Sequence, residues 1–358
     1  MDDEENIKLI FLGDISLNGR YIKMYQENQN PFTKLNKNLG EADYVIGNLE
    51  SFVRGDKGEN HLKKPRLTTT IEALNYLKHI NLDVACLANN HVYDHLESGF
   101  HKTVEFLQQN DIQYLGAADS KEEASIPVII EKGNIKIGIL NYVTHDTNPK
   151  IPDEAGITPN FFLIKKVIKD IETLKEEVDH VVLSLHWGGK VEGGLFPDYK
   201  QPLIARKLID KGADLIVGHH SHTVQPYEKY KGKYIFYSLG NFCFSDYWFN
   251  KKYYPLPNRR KLAAILDMKF DKNQYSTNLS FYINNIDHFE RLENYSLFVQ
   301  NWLFLNLLKL KPLWFLYFAY LKIIVPFYLF IVRDDLSFRQ KIVRLFVALN
   351  KRIKRTYL

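Results

Sequence analysis

Cysteine is scarce in this chain, with two residues among 358. Small secreted domains that rely on disulfides carry many more, so a disulfide framework is excluded. Cys86 and Cys243 each lie in an apolar run, which predicts buried thiols rather than a redox pair.

A secretion signal is also lacking. The chain begins Met-Asp-Asp-Glu-Glu-Asn, without the basic start and apolar stretch of a signal peptide, so we expect a cytoplasmic main domain. Strong charge of one sign is absent too, since the net charge is +5. The basic run Lys-Arg-Ile-Lys-Arg (351–355) lies at the carboxyl end, and the main domain has no such run, so no nucleic-acid partner is expected.

The chain does contain apolar runs that alternate with helical patterns. They predict strands at 7–12, 44–46, 82–87, 112–115, 181–185, 215–217 and 234–237, a hairpin of 126–130 with 135–140, and helices near 98–109, 161–177 and 200–211. This alternation predicts an α/β fold built from βαβ units. We expect one domain over residues 1–290 and a hydrophobic and basic helical extension over 291–358.

Polar clusters follow five of the predicted strands. Each cluster alone has an ordinary explanation, such as a turn, a helix cap, a solvated acid or a core histidine. Ligands of α/β sheets gather beyond the carboxyl ends of strands, so five such clusters together favour one shared site. The candidate metal ligands are Asp14, Glu50, Asn90, His186, His220 and His222.

The mixture of carboxylate, amide and imidazole groups suits manganese, iron or zinc. Two divalent metal ions at one centre require a carboxylate that bridges them, with further ligands on either side. Such a pair of ions clamps a phosphoryl oxygen and activates a water for in-line attack. His91, next to Asn90, is placed to protonate the leaving group.

These clusters match a known family in order and spacing over residues 7–246. The matching motifs are Phe-Leu-Gly-Asp (11–14), Gly-Asn-Leu-Glu-Ser (47–51), Leu-Ala-Asn-Asn-His (87–91) with Asp94, His-Trp-Gly (186–188), Gly-Ala-Asp-Leu-Ile-Val-Gly-His-His-Ser-His (212–222) and Tyr-Ser-Leu-Gly-Asn-Phe (237–242). The chain resembles the poly-gamma-glutamate capsule biosynthesis (CapA-type) family, a branch of the calcineurin-like metallophosphoesterases. The resemblance implies a four-layer α/β/β/α sandwich, the six metal ligands above, and His91 as the acid.

We further expect Asp94 to act with His91, and Asn48, Arg66 and Asn241 to contact substrate. Three positions depart from the family pattern. Asp14-Ile15-Ser16 lacks the imidazole of the Asp-x-His motif found in general phosphoesterases, as the capsule branch usually does. Ser221 replaces the usual proline, and Lys190 stands where the family often has glutamate.

Two functions are compatible with this site. One is a metal-dependent hydrolase of phosphate esters or diesters, serving the biosynthesis of capsule, surface polysaccharide or polyglutamate. Its substrate would be a phosphorylated small molecule, a lipid-linked phosphate or a polymer. The alternative is a non-catalytic assembly or export factor for a surface polymer.

Residues 297–332 are dense in aliphatic and aromatic side chains. Within them 312–332 would span about 32 Å as a helix, enough to cross a bilayer core. Basic residues flank this stretch on both sides, so the positive-inside rule indicates no clear crossing. We expect kinked helices on the membrane surface at the inner face of the cell membrane, peripheral or monotopic, with the basic tail on anionic lipid. A helical subdomain that packs on protein and a true span are the alternatives.

Overall fold

The computed structural model describes residues 6–249 and 252–319, which form a mixed α/β fold with several sheets, as predicted. In these ranges the strands are β1 (Ile7–Ile15), β2 (Tyr44–Leu49), β3 (Phe52–Val53), β4 (Thr68–Thr69), β5 (Val84–Cys86), β6 (Gln113–Leu115), β7 (Ala117–Ala118), β8 (Val128–Lys132), β9 (Ile135–Val143), β10 (Thr158–Pro159), β11 (His180–His186), β12 (Leu215–His219), β13 (Tyr227–Tyr230), β14 (Lys233–Phe236), β15 (Asn241–Cys243), β16 (Tyr247–Phe249), β17 (Lys252–Tyr254), β18 (Leu262–Phe270), β19 (Tyr275–Asn284) and β20 (Phe289–Arg291).

The helices are short in the first half of the chain and longer where they cover a sheet. They are α1 (Arg20–Gln26), α2 (Asn36–Leu39), α3 (Ile71–Leu74), α4 (Tyr76–His79), α5 (Leu96–Gln109), α6 (Lys121–Ala124), α7 (Ile164–Lys175), α8 (Lys200–Asp210), α9 (Asn258–Lys261), α10 (Phe298–Lys309) and α11 (Lys311–Ala319). The predicted helices near 98–109, 161–177 and 200–211 correspond to α5, α7 and α8.

Two large sheets form the centre of the fold. The first has the order β20-β19-β18-β1-β2-β5-β6, with β15 also paired to β1, and β1, β2, β5 and β6 run parallel. The second has the order β13-β14-β12-β11-β9-β8, with β14, β12, β11 and β9 parallel. The carboxyl ends of the parallel strands are where ligands of such sheets bind.

Strand β1 shows how the layers form, because alternate side chains of a strand point to opposite faces. Leu9 and Phe11 share a buried cluster with Ile137 and Val217 of the second sheet, so the two sheets pack together. Ile10 and Leu12 belong to a different cluster, whose other members include Phe100, Val104, Phe106 and Leu107 of α5. Both faces of β1 are covered, which explains why its residues 9–12 form a continuous apolar run.

The outer face of the second sheet packs against helix α7. Val167, Ile171 and Leu174 are buried along one side of this helix. Gly138 of β9 lies so close to Leu174 that a Cβ there would sit 2.6 Å from its Cδ2 atom. Close helix-to-sheet packing is one reason for a glycine within a strand.

The predicted burial of both thiols is confirmed. Cys86 and Cys243 are free and buried in separate clusters, on opposite sides of the first sheet. Burial raises the pKa of the Cys86 thiol to about 12, so this thiol is un-ionised near neutral pH.

The hairpin of β18 and β19 is an addition that the sequence patterns do not predict. It joins the first sheet antiparallel to β1, with Leu266 opposite Phe11. β18 mixes Asp267 and Lys269 into its apolar run, and β19 is largely polar. The strands form because β1 offers an open edge, which is a tertiary cause rather than a local one.

The described chain divides into two compact units, the first ending at Phe304 and the second beginning at Leu305. In the first unit, Phe304 is buried and its ring lies 5.2 Å from that of Tyr237. Helices α10 and α11 agree with the predicted helical character of this region. Among the described residues, no helix is both long and apolar enough to cross a bilayer. Residues 320–332 and the basic tail at 351–355 lie outside the described residues.

Gly218 of β12 allows a test of the close packing just before the histidine cluster. A Cβ added to Gly218 would lie 2.0 Å from the Tyr237 carbonyl oxygen, which is backbone and cannot move aside. We expect Gly218→Ala to lower the free energy of unfolding by about 3 kcal/mol, the upper end of overpacking costs. Gly156→Ala is the control, because its Cβ would meet only the flexible Glu97 side chain. Equal stability of the two variants in urea unfolding would contradict this packing.

Candidate metal centre

The polar clusters after the strands come together at one edge of the two large sheets. Strands from both sheets contribute, so the centre depends on how the sheets pack. The residues brought together are Asp14 on β1, Asn48 on β2, Glu50 directly after β2, Asn90 after β5, His186 on β11, and His220 and His222 after β12.

Two buried acids lie at the middle of this centre. The carboxylates of Asp14 and Glu50 are fully buried, and with His222 they offer ligand atoms that all lie within 4.8 Å of one another. His222 Nδ1 is 3.2 Å from Asp14 Oδ2, and its Nε2 is 4.0 Å from Glu50 Oε2. Two carboxylates buried so close together are unfavourable unless a cation offsets their charge.

The pKa values show that this group stabilises positive charge. Burial and the charge of Asp14 raise the pKa of Glu50 to about 8. Burial disfavours the ionised form of Asp14, but hydrogen bonds from His219 and His222 hold its pKa well below the usual range. Burial lowers the pKa of His222, yet the charges of Glu50 and Asp14 outweigh it and raise that pKa to about 9. The two carboxylates therefore favour a cation between them.

A second group of ligand atoms surrounds His186. Its Nε2 lies 3.0 Å from Asn90 Oδ1 and 3.0 Å from His220 Nδ1, while its Nδ1 lies 3.4 Å from Glu50 Oε1. Burial lowers the pKa of His220 to about 3, and burial also lowers the pKa of His186. Both rings are neutral near pH 7 and keep a lone pair, which is the form that binds metal.

Unsatisfied buried oxygens test whether these residues suit a metal. Asn48 donates from Nδ2 to Asp14 Oδ1 at 2.9 Å and to Glu50 Oε1 at 3.1 Å. Its own Oδ1, and Oε2 of Glu50, are buried acceptors without a hydrogen-bond partner among the described residues. Buried polar atoms are nearly always satisfied, so acceptors without donors beside lone-pair imidazoles fit divalent metal ions.

The backbone of the histidine loop is strained. His220 has φ +88° and His222 has φ +57°, both in the left-handed region that side chains other than glycine rarely adopt. Such a residue costs on the order of 1–3 kcal/mol, and such strain clusters at functional sites. With these left-handed conformations, the His222 ring lies against Asp14 and the His220 ring lies against His186.

His91 stands beside the centre with its own supports. Its Nδ1 lies 2.6 Å from Asp94 Oδ2, which also accepts the backbone N–H of Leu67 at 2.7 Å. The buried ammonium of Lys63 lies 3.5 Å from Asp94 Oδ1 and donates to the Asn90 carbonyl. Asp94 thus holds the ring through Nδ1, leaving Nε2 as the atom that is open to a ligand.

The residues predicted to contact substrate occupy three different positions. Asn48 lies fully buried between the two acids. Asn241 Oδ1 lies 2.9 Å from His222 Nδ1, and its Nδ2 donates to the Arg260 carbonyl at 3.0 Å. The guanidinium of Arg66 instead bonds to Glu59 and to two carbonyls of its own loop, so its described contacts do not join it to the acids.

Sequence reasoning missed four residues at this site. His219 Nδ1 lies 3.3 Å from Asp14 Oδ1, although the His-x-His pattern points to its two neighbours instead. The burial of Lys63 has no local signal. Glu192 pairs with Arg260 at 3.2 Å, two positions after the Lys190 that departs from the family pattern. Glu192 could have been found from the sequence, because it is an acid only two positions after the place where the family often has glutamate.

Comparison with known proteins agrees with the motifs. The family described as "Bacterial capsule synthesis protein PGA_cap" matches residues 8–246. The PGA biosynthesis protein CapA of Bacillus subtilis (strain 168) is 34% identical over 276 residues, covering 74% of this chain and 67% of that protein. The capsule biosynthesis protein CapA of Bacillus anthracis is 29% identical over 280 residues, with the same coverage of each.

Among solved structures, the NAD nucleotidase NadN of Haemophilus influenzae is similar at 14% identity, covering 81% of this chain and 54% of that one, with a TM-score of 0.43. The family match, residues 8–246, spans more than half of the chain and nearly the same range as the motif resemblance over residues 7–246. The chain therefore belongs to the bacterial capsule synthesis protein (PGA_cap) family.

Proposed function

We propose that this protein is a metal-dependent phosphoester hydrolase that acts in the biosynthesis of a capsule or another surface polymer. The observation that carries the proposal is the buried set of two carboxylates and three imidazoles, with acceptors that lack donors. Membership of a capsule synthesis family supports a role in the biosynthesis of a capsule or another surface polymer. The sheets and their outer helices would be the four layers of a calcineurin-like metallophosphoesterase.

The residues divide into two sets that would hold two ions of manganese, iron or zinc. Asp14, Glu50 and His222 form one set, and Asn90, His186 and His220 form the other. Glu50 contacts both sets, since Oε1 lies 3.4 Å from His186 and Oε2 faces His222. When bound, such ions polarise a phosphoryl oxygen and lower the pKa of a coordinated water.

His91 would supply the proton for the leaving group. Its Nδ1 is held by Asp94, so the proton would pass from Nε2 to the departing oxygen. Burial and the Lys63 charge lower the pKa of His91, while Asp94 opposes that shift. The protonated ring is therefore a stronger acid than a solvated imidazolium.

We also propose that the protein works at the inner face of the cell membrane, on a phosphorylated small molecule, a lipid-linked phosphate or a polymer. Support comes from the apolar side chains that the last described helices leave exposed. In α10, Phe298 is 73% and Trp302 57% exposed. In α11, Phe315 is 70% and Leu316 65% exposed. Both helices are apolar on all sides, and such helices bury their side chains against protein or lipid.

Metal binding is tested by removing one imidazole at a time. We expect His222→Ala and His220→Ala each to lose at least one ion per chain, because each removes a ligand from a different set. Elemental analysis of the purified full-length protein measures this. His288→Ala is the control, since that ring is exposed and pairs with Asp287 outside the centre. Unchanged metal content in both site variants would refute the centre.

The role of His91 is tested with aryl phosphodiesters of different leaving-group acidity. His91→Ala should keep its ions and lose about 10²–10⁴ in rate on a poor leaving group, because proton donation is lost. The loss should shrink for an acidic leaving group, which needs no proton. A uniform loss across the series would exclude the acid role. A metal-loaded wild-type protein with no activity on any ester would favour the assembly factor.

Membrane binding is tested with full-length protein and anionic liposomes. Each basic residue near an anionic surface contributes about 1 kcal/mol, screened by salt. Changing the four basic tail residues to glutamine should weaken binding without abolishing it, because the apolar contribution of the helices remains. These residues are Lys351, Arg352, Lys354 and Arg355.

A matched control removes the same charge from exposed lysines of the first unit, and it should bind as the wild type does. Its positions are Lys121, Lys165, Lys169 and Lys207. If both quadruple variants lose the same affinity, the attraction is general rather than specific to the tail. If the wild type stays unbound at low salt, the apolar helices contact protein instead.

A further inference from the structure

An ion pair lies beside the metal centre and is not used by the chemistry above. Arg260 Nη2, from α9, lies 3.2 Å from Glu192 Oε1. The Arg260 side chain is 22% exposed and that of Glu192 47%. The pair is therefore partly covered but open to solvent on the Glu192 side, so the carboxylate has room to move away.

Both partners are attached to the loop that carries the two histidine ligands. Next to Glu192, the N–H of Gly193 donates to the Ser221 carbonyl at 2.8 Å. On the other side, the Arg260 carbonyl accepts from Asn241, and the same Asn241 contacts His222. The ion pair thus connects two segments that each contact the ligand loop directly or through one residue.

The charges at this position favour an anion. Arg260 Nη2 lies 3.2 Å from Glu192 Oε1, and its positive charge favours the ionised form of the carboxylate. The ionised carboxylate therefore occupies a place where a guanidinium attracts negative charge. A guanidinium presents two parallel N–H groups that match the oxygens of a phosphate as well as those of a carboxylate.

We propose that Arg260 binds a phosphate oxygen of the ligand, and that Glu192 holds Arg260 until the ligand displaces it. This inference rests on the proposed function and adds the basis of its selectivity. A phosphate that carries negative charge would exchange places with Glu192 at the guanidinium. A neutral ester offers no charge with which to displace the carboxylate, so the pair would select anionic phosphates.

Calorimetric titration of orthophosphate into Mn²⁺-loaded full-length protein tests the exchange. Arg260→Gln should weaken phosphate binding about 10–100-fold, because a hydrogen bond to a charged group is lost. Glu192→Gln should tighten it by about threefold or more, because a competing charge is removed. Arg259→Gln is the matched control, since this exposed neighbour should leave the Kd unchanged.

The opposite directions separate this proposal from a merely structural ion pair. If Arg260→Gln and Glu192→Gln both weaken binding, the pair only braces the loops and the proposal is overturned. If Arg260→Gln and Arg259→Gln weaken phosphate binding equally, Arg260 contributes only non-specific electrostatic attraction, and the proposal is also overturned. A metal-loaded wild type that binds no phosphate would instead refute the proposed function itself.

Metal content and the Tm of each variant show whether the fold is intact. If Arg260→Gln loses its metal, Arg260→Lys replaces it, because lysine keeps the charge but not the paired N–H groups. Arg260→Lys should weaken phosphate binding while Glu192→Gln still tightens it. An unchanged Kd in Arg260→Lys together with no tightening in Glu192→Gln would overturn the proposal.

Discussion

The close burial of two carboxylates is the constraint on which the rest of the centre depends. Asp14 and Glu50 lie fully buried near each other, where neither can be solvated and each repels the other. The His222 imidazole, the Asn48 amide and the backbone N–H of His220 all lie against these carboxylates and offset this repulsion. Burying two acids this close together costs stability, so their presence fits the metal site that we propose for them.

The packing of the two sheets brings together ligand types that neither sheet provides alone. β1 and β2 contribute acids and amides, and β11 and β12 contribute imidazoles. His220 donates its backbone N–H toward Asp14 across the junction, at 3.3 Å from Oδ2. The chemistry of the site therefore depends on the apolar cluster between the sheets, which sets the distance between the two kinds of ligand.

Sequence reasoning predicted the parallel strands and the polar residues that meet beside them, because both have local signals. The run Ile7–Leu12 followed by Gly13-Asp14 is visible without a structure, and so is the histidine cluster. The hairpin of β18 and β19 has no such signal, since it forms against the edge of β1. Lys63 and Arg260 could not be found either, because each acquires its role from a partner distant in sequence, Asp94 and Glu192 respectively.

Contacts between Asp14 and the histidine loop join residues 206 positions apart. The centre is complete only when both sheets have packed together, because Asp14 belongs to one sheet and the histidine loop follows a strand of the other. Metal ions would consequently bind the native state and not the unfolded chain. By mass action the available metal would then add to the stability of the folded protein, so that supply of the ion would affect how much of this protein a cell maintains.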